Sequence, residues 1–154
     1  MEIADLMDAK SVIPKLKASS KKQVLTELSE YAEKLVGQPA RTIFDVLLER
    51  ERLGTTGVGH GVAIPHGKIA ALDRLYALFA RLETPVDFDS IDGQPVDLVF
   101  LLLAPETAGA DHLKALSRIS RLLRNKEVCD KIRGSSNADA IYALLVEPAA
   151  SHAA

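Results

Sequence analysis

Residues 75–105, LYALFARLETPVDFDSIDGQPVDLVFLLLAP, hold two apolar runs, 75–82 (LYALFARL) and 95–105 (PVDLVFLLLAP). Neither run alternates apolar and polar residues, so neither predicts a strand with one wet face. Short runs of this kind, bounded by Pro and Asp-rich turns, suit strands covered on both faces. The loop FDSIDGQP at 88–95 separates them. A sheet buried on both sides needs helices on both sides, and the flanking sequence supplies them.

Upstream, residues 19–37 (SSKKQVLTELSEYAEKLVG) repeat Val24, Leu25, Leu28, Tyr31, Ala32 and Leu35 with helical spacing behind a Ser20/Gln23 capping box, and Gly37 marks the stop. Pro39 opens a second helix, PARTIFDVLLERE, with an apolar stripe of Ile43, Phe44, Leu47 and Leu48 and with Arg50 and Arg52 in its last turn before Gly54. Downstream, helices are predicted over 111–124 with Asp111 as N-cap, around 128–132, and over 137–146 behind a Ser136/Asp139 box. The expected fold is α/β, a mixed sheet flanked by helices on both faces, in one compact domain over residues 1–147 followed by a flexible tail at 148–154.

Composition narrows the function. A net charge of −2, a pI near 6.1 and only seven Phe and Tyr residues argue against a nucleic-acid surface. The single cysteine, Cys129, excludes an intrachain disulfide and reads as a packed residue in a reducing compartment. The charged start MEIADLMDAK and the absence of a long apolar run predict a soluble cytoplasmic protein with no membrane insertion.

Chemistry concentrates in residues 55–68, TTGVGHGVAIPHGK; five of the nine glycines fall between Gly54 and Gly67. Two histidines compete there. His66 follows Pro65, which fixes its own φ and biases Ile64 to an extended conformation, and Gly67 leaves space beside the ring. His60 sits within the glycine run, on backbone expected to be more mobile. A neutral imidazole is a competent nucleophile near pH 7, and glycine N–H groups hold phosphate, so the bend suits phosphoryl capture. Arg50, Arg52 or a helix N-terminus would compensate its charge. His112, in the first turn of the helix after the second strand, stacks above Leu116 and Ile119 and points toward the strand ends; it reads equally as a core-edge residue. Lys114, Arg118, Arg121 and Arg124 form a cationic stripe on another side of that helix, a solvated face or a docking surface for an acidic partner.

The segments LLERERLGTTGVGHGVAIPHGK, ETPVDFDSIDGQPVDLVFLLLAP and DHLKALSRISRLL resemble the type-2 IIA proteins of the bacterial phosphotransferase system, with the nitrogen-regulatory branch as the nearest match, over residues 5–146. The resemblance implies a mixed sheet flanked by helices, a tele-phosphohistidine at His66, a supporting second histidine at His112 and a charge-compensating arginine at Arg50. It implies a phosphocarrier rather than a turnover enzyme. Its phosphate would come from a phospho-HPr-like donor of the NPr kind, its targets would be regulated proteins such as sensor kinases or transporters, and no cofactor or metal would be needed. The chain departs from the family at His60, where Asn is usual, which puts in doubt the hydrogen bonding around the phosphohistidine. Two alternatives remain: a sugar-specific IIA component passing phosphate to a IIB protein, and a metal hydrolase using His60, His66 and His112, for which no H-E-x-x-H helix or acidic ligand pattern is present. The small-residue ending EPAASHAA, without a fused domain, favours a free-standing regulator.

Overall fold

The computed structural model describes residues 1–147, so the tail expected at 148–154 lies outside the described residues. The two decisive runs form the centre of a six-stranded mixed sheet. Strands are β1 (Val12–Leu16), β2 (Gly57–Gly59), β3 (Val62–Ala63), β4 (His66–Ile69), β5 (Tyr76–Val86) and β6 (Val96–Pro105). Helices are α1 (Lys21–Val36), α2 (Ala40–Arg52), α3 (Ala110–Leu123), α4 (Lys126–Arg133) and α5 (Ala138–Val146). The order across the sheet is β1-β5-β6-β3-β2, with β4 also on β6. β5 pairs antiparallel with β6, and β1 lies parallel to β5.

Both faces of this sheet are covered, which explains why the β6 residues from Leu98 to Ala104 are all buried. Ala80, Leu82, Val99, Leu101 and Leu103 pack toward α1 and α2. Phe79, Leu98, Phe100 and Leu102 pack toward Ala115, Ile119, Ile132 and Ile141 of α3, α4 and α5. Phe79 and Phe100 meet edge to face at 5.8 Å.

β3 and β4 are one parallel strand with a break. Val62 and Ala63 register with Leu98 and Val99, and His66 and Gly67 with Leu102 and Leu103, so the offset along β6 is unchanged across Ile64 and Pro65. Pro65 has no N–H for the ladder, yet its carbonyl still accepts from Leu102 N–H at 3.0 Å. The Ile64 N–H instead donates to Thr56 O, also at 3.0 Å. The proline thus diverts the chain without losing register.

Several local expectations are corrected. The strand at 75–82 runs on to Val86, and the helix expected at 128–132 spans Lys126–Arg133. β1 and the short strands of the glycine segment had no clear periodic signal, since β1 contains Pro14 and the others are only two to four residues long. Ser20 Oγ does accept from Gln23 N–H at 3.1 Å, but the Gln23 amide turns to Ser19 and leaves the capping box half made. The cap of α5 is Asn137, whose Oδ1 takes the N–H groups of Asp139 and Ala140, so the Ser136/Asp139 box does not form. Asp111 is not the N-cap of α3. Gly109 with φ 55° precedes the helix, no side chain caps it, and Asp111 lies inside the first turn.

Gly67 faces α2 and does not open space beside the His66 ring. A Cβ added at Gly67 would stand 2.5 Å from Val46 Cγ1. Val46 lies one turn before Arg50 on the same face of α2, so the missing side chain lets α2 settle onto β4 with Arg50 beside His66. Gly67→Ala is therefore expected to lower stability by about 1–3 kcal/mol, the usual cost of overpacking. Chemical denaturation checks this, and a variant as stable as wild type would show that Val46 can swing aside freely.

Candidate functional site

His66 opens β4 immediately after the Pro65 break, partly buried between α2 and the start of α3. Its ring is held at both nitrogens. Nδ1 lies 2.9 Å from the Ile64 carbonyl oxygen, and Nε2 lies 3.2 Å from Arg50 Nε. A carbonyl can only accept and a guanidinium can only donate, so the two contacts fix one tautomer: Nδ1 bears the proton and Nε2 presents a lone pair. Arg50 is steadied in turn by Nη1 donating to Gly54 O at 2.9 Å.

Burial holds the His66 pKa below the usual histidine value; the bond to the Ile64 carbonyl pulls it up, the Arg50 cation pushes it down, and Glu51 pulls it up. The ring is therefore neutral at pH 7, with the Nε2 lone pair facing the Arg50 cation.

His112 is the second ring at the site. Its centroid lies 5.6 Å from that of His66, with the planes at 64°. Burial lowers its pKa first, and the neighbouring His66 and Lys68 lower it further. Its Nε2 is buried with no hydrogen-bond partner among the described residues. A buried polar atom without a partner is costly, so His112 Nε2 is available to a further hydrogen-bonding group, water or ligand, beside the His66 ring. α3 adds uncapped N–H groups at its first turn, a favourable setting for an anion.

The structure separates the residues that the sequence left in competition. Arg50, and not Arg52, reaches His66; Arg52 instead pairs with Glu49 on the outer face of α2. His60 stands at the other end of the broken strand. Val62 and His66 register with positions four apart on β6, about 13 Å along the strand, and His60 lies beyond Val62 around a turn. His60 therefore lies apart from the site that His66 and His112 share, and among the described residues no group of three or more His, Cys, Asp or Glu could hold a metal ion.

His60 does not sit on loose backbone. Its N–H donates to Asp92 at 2.9 Å and its carbonyl accepts from Arg133 Nη2 at 2.8 Å. His60 and Gly61 form the two-residue turn between β2 and β3, with φ of 56° and 79°. Positive φ at both central positions is the signature of a type I′ hairpin, which Asn tolerates best among residues with a side chain. An Asn at position 60 would therefore serve the turn, remote from the hydrogen bonds around His66.

Sequence reasoning also missed Glu51 of α2, Thr56 and Lys21 of α1. Glu51 is buried and accepts from Thr56 N–H at 3.0 Å and from the Thr56 hydroxyl, while Lys21 Nζ lies 2.9 Å away. Glu51 does carry a sequence signal, because it continues the buried i, i+4 row Ile43–Leu47 of α2, where an apolar residue is expected. On α3, Lys114, Arg121 and Arg124 of the cationic stripe are exposed, and Arg118 pairs with Glu2 at 3.2 Å. Cys129 is buried beneath the Leu123 carbonyl, and burial raises its pKa, as expected for a packing residue. No helix among the described residues is long and apolar enough to cross a membrane.

This geometry agrees with what the chain is similar to. Residues 5–147 match the family described as phosphoenolpyruvate-dependent sugar phosphotransferase system, EIIA 2. A nitrogen regulatory protein of Bradyrhizobium diazoefficiens is 59% identical over 153 residues, covering 99% of this chain and 100% of that protein. A nitrogen regulatory protein of Escherichia coli is 36% identical over 149 residues, covering 96% and 91%. The crystal structure of nitrogen regulatory protein IIA-Ntr from Neisseria meningitidis superimposes with a TM-score of 0.88 at 34% identity, over 93% of this chain and 98% of that one. A mixed sheet covered by helices on both faces, matched almost end to end in sequence and in structure, places this chain in the type-2 EIIA family of the phosphotransferase system.

Proposed function

We propose that the protein is a phosphocarrier of a nitrogen-related phosphotransferase system, accepting a phosphoryl group at His66 Nε2 from a phosphorylated HPr-like donor of the NPr kind. Its contacts with regulated targets, such as sensor kinases or transporters, then depend on whether that group is present. The observation that carries this reading is the tautomer of His66, with the proton on Nδ1 and the lone pair on Nε2 beside Arg50.

In the transfer, the Nε2 lone pair forms a bond to phosphorus as the donor's bond to phosphorus breaks, and that electron pair returns to the donor. The Nδ1 proton stays in place, and the Ile64 carbonyl stabilises the positive charge that develops on the ring. Arg50 must release Nε2 to admit phosphorus; its tether at Gly54 keeps the guanidinium near, where it can turn to the phosphoryl oxygens. The unpartnered Nε2 of His112 supports a role for that ring as a second hydrogen-bond partner of the phosphoryl group.

Incubation with phosphorylated HPr-like protein is expected to label wild type and His60→Asn alike, and to leave His66→Ala unlabelled, when phosphate is mapped by mass spectrometry without acid. Label on His66→Ala, or on His112 of the wild type, would overturn the assignment. Arg50→Ala should remain folded and accept phosphate about tenfold to a hundredfold more slowly, from the loss of a charge-assisted interaction worth about 1.5–3 kcal/mol. An unchanged single-turnover rate would remove Arg50 from the reaction.

The pH dependence has a definite sign. The folded-state pKa of His66 lies below its value in an unfolded chain, so the neutral nucleophile persists below about pH 6.5. The same depression makes folding stability complete above that pH and progressively lost as acid drives the folded ring toward its charged form. Transfer measured from pH 8 down to 5 should stay level through about pH 6.5 and fall only below it. A midpoint at or above that value, in transfer or in an NMR titration of His66, would contradict the buried-ring account.

A further inference from the structure

The two hydrogen bonds that orient the His66 ring lead back to one residue. Ile64, whose carbonyl accepts from Nδ1–H, donates its own N–H to the Thr56 carbonyl at 3.0 Å. Gly54, whose carbonyl holds Arg50 Nη1, lies in the turn that Thr56 closes back onto Glu51. Thr56 therefore sits at the root of both arms, one ending at Nδ1 and the other at Nε2. What holds Thr56 is the Glu51 carboxylate, one oxygen taking its N–H and the other its hydroxyl.

That carboxylate is an expensive choice for the position. Its side chain is only 3% exposed, in the row of α2 that otherwise buries Ile43 and Leu47. A buried carboxylate destabilises a fold unless it is paired and fully hydrogen-bonded, and an apolar side chain of similar volume would serve the core as well. Here every partner is provided. Lys21, at the first position of α1, neutralises the charge from 2.9 Å, and its ammonium lies 5.0 Å from the centroid of the buried Phe88 ring. Thr55 ties the neighbouring backbone to Phe88 O at 2.7 Å. The turn is thereby fixed to α1, α2 and the loop after β5 at once.

We infer that Glu51 is a positioning residue for the reaction at His66: by gripping Thr56 it sets the aim of Arg50 through Gly54 and the orientation of the imidazole through Ile64. This rests on the roles proposed above for His66 and Arg50. Glu51 touches neither the phosphoryl group nor the imidazole; its charge raises the His66 pKa from a distance, while its hold on the ring's orientation runs through the turn.

A double-mutant cycle on the full chain tests it, with transfer from phosphorylated HPr-like protein as the readout and thermal unfolding to confirm that each variant is folded. Thr56→Val, which keeps the shape and deletes the hydroxyl, is expected to slow transfer about fivefold; Glu51→Gln, which cannot accept from both Thr56 donors in the same way, should slow it about tenfold or more. Thr56→Ser, which keeps the hydroxyl, should restore the rate. In an Arg50→Ala background the Thr56→Val loss should shrink, because one of its two routes has already been removed. A ¹⁵N NMR measurement on unphosphorylated protein should find His66 wholly in the Nδ1–H tautomer in wild type and in a mixture of tautomers in Thr56→Val.

Fully multiplicative losses, or an unaltered tautomer in a folded but slower variant, would reduce Glu51 and Thr56 to structural residues. Wild-type rates in folded Thr56→Val and Glu51→Gln, with Arg50→Ala still slow, would overturn this inference alone. A His66→Ala protein that still accepts phosphate would overturn the functional reading beneath it.

Discussion

The parallel pairing of residues 62–69 with β6, interrupted at Pro65 yet held in register, is the constraint on which the site depends. Along this strand alternate residues face β6, so the carbonyls of Gly61 and Pro65 accept from β6 while Ile64 faces away from it. On that far side Ile64 donates its N–H to Thr56, and at the Pro65 bend its carbonyl accepts from His66 Nδ1. Because the register is kept, His66 re-enters the sheet beside Leu102, among the most buried residues of the protein. A side chain anchored to such a strand inherits its rigidity, which a nucleophile needs if it is to meet an incoming phosphorus in line.

Charge around that strand follows one logic. His66 and His112 are both pushed toward neutrality, first by burial and then by neighbouring positive charge. An imidazolium there would have no lone pair at Nε2 to offer. Arg50 contributes to this depression, and in the proposed transfer it supplies the cation that a phosphoryl group would meet, so one side chain would favour both the neutral ring and its phosphorylated form. The negative charge of Glu51 is kept one residue away and is spent on Thr56 and Lys21, so it does not compete for Arg50.

Much of the fold was legible because both of its signals are local. Uninterrupted apolar runs at 75–82 and 95–105 can only be buried on two faces, and the flanking 3.6-residue periodicity supplies the helices to cover them. Where a signal was short it failed. β1, β2 and β3 have too few residues to show a period, and Asp111 and Ser136 look like caps until the backbone places the helix starts elsewhere. His60 looked mobile because glycines surround it, whereas Asp92 and Arg133, distant in sequence, hold its turn at both backbone groups.

Sequence alone determined the layered α/β architecture, the family likeness and His66 as the side chain set at a proline bend, since each of these depends on residue order within a short window. Only the tertiary structure decided which arginine reaches the ring, which tautomer the ring adopts, where His60 lies and why a carboxylate occupies the apolar row of α2. These depend on contacts between residues such as Arg50 and His66, Thr56 and Ile64, or Arg133 and His60, which sequence does not place side by side. Hydrogen-bond direction needs two partners at about 3 Å, and for Arg50 and His66 that proximity is created by packing α2 onto β4 across Gly67.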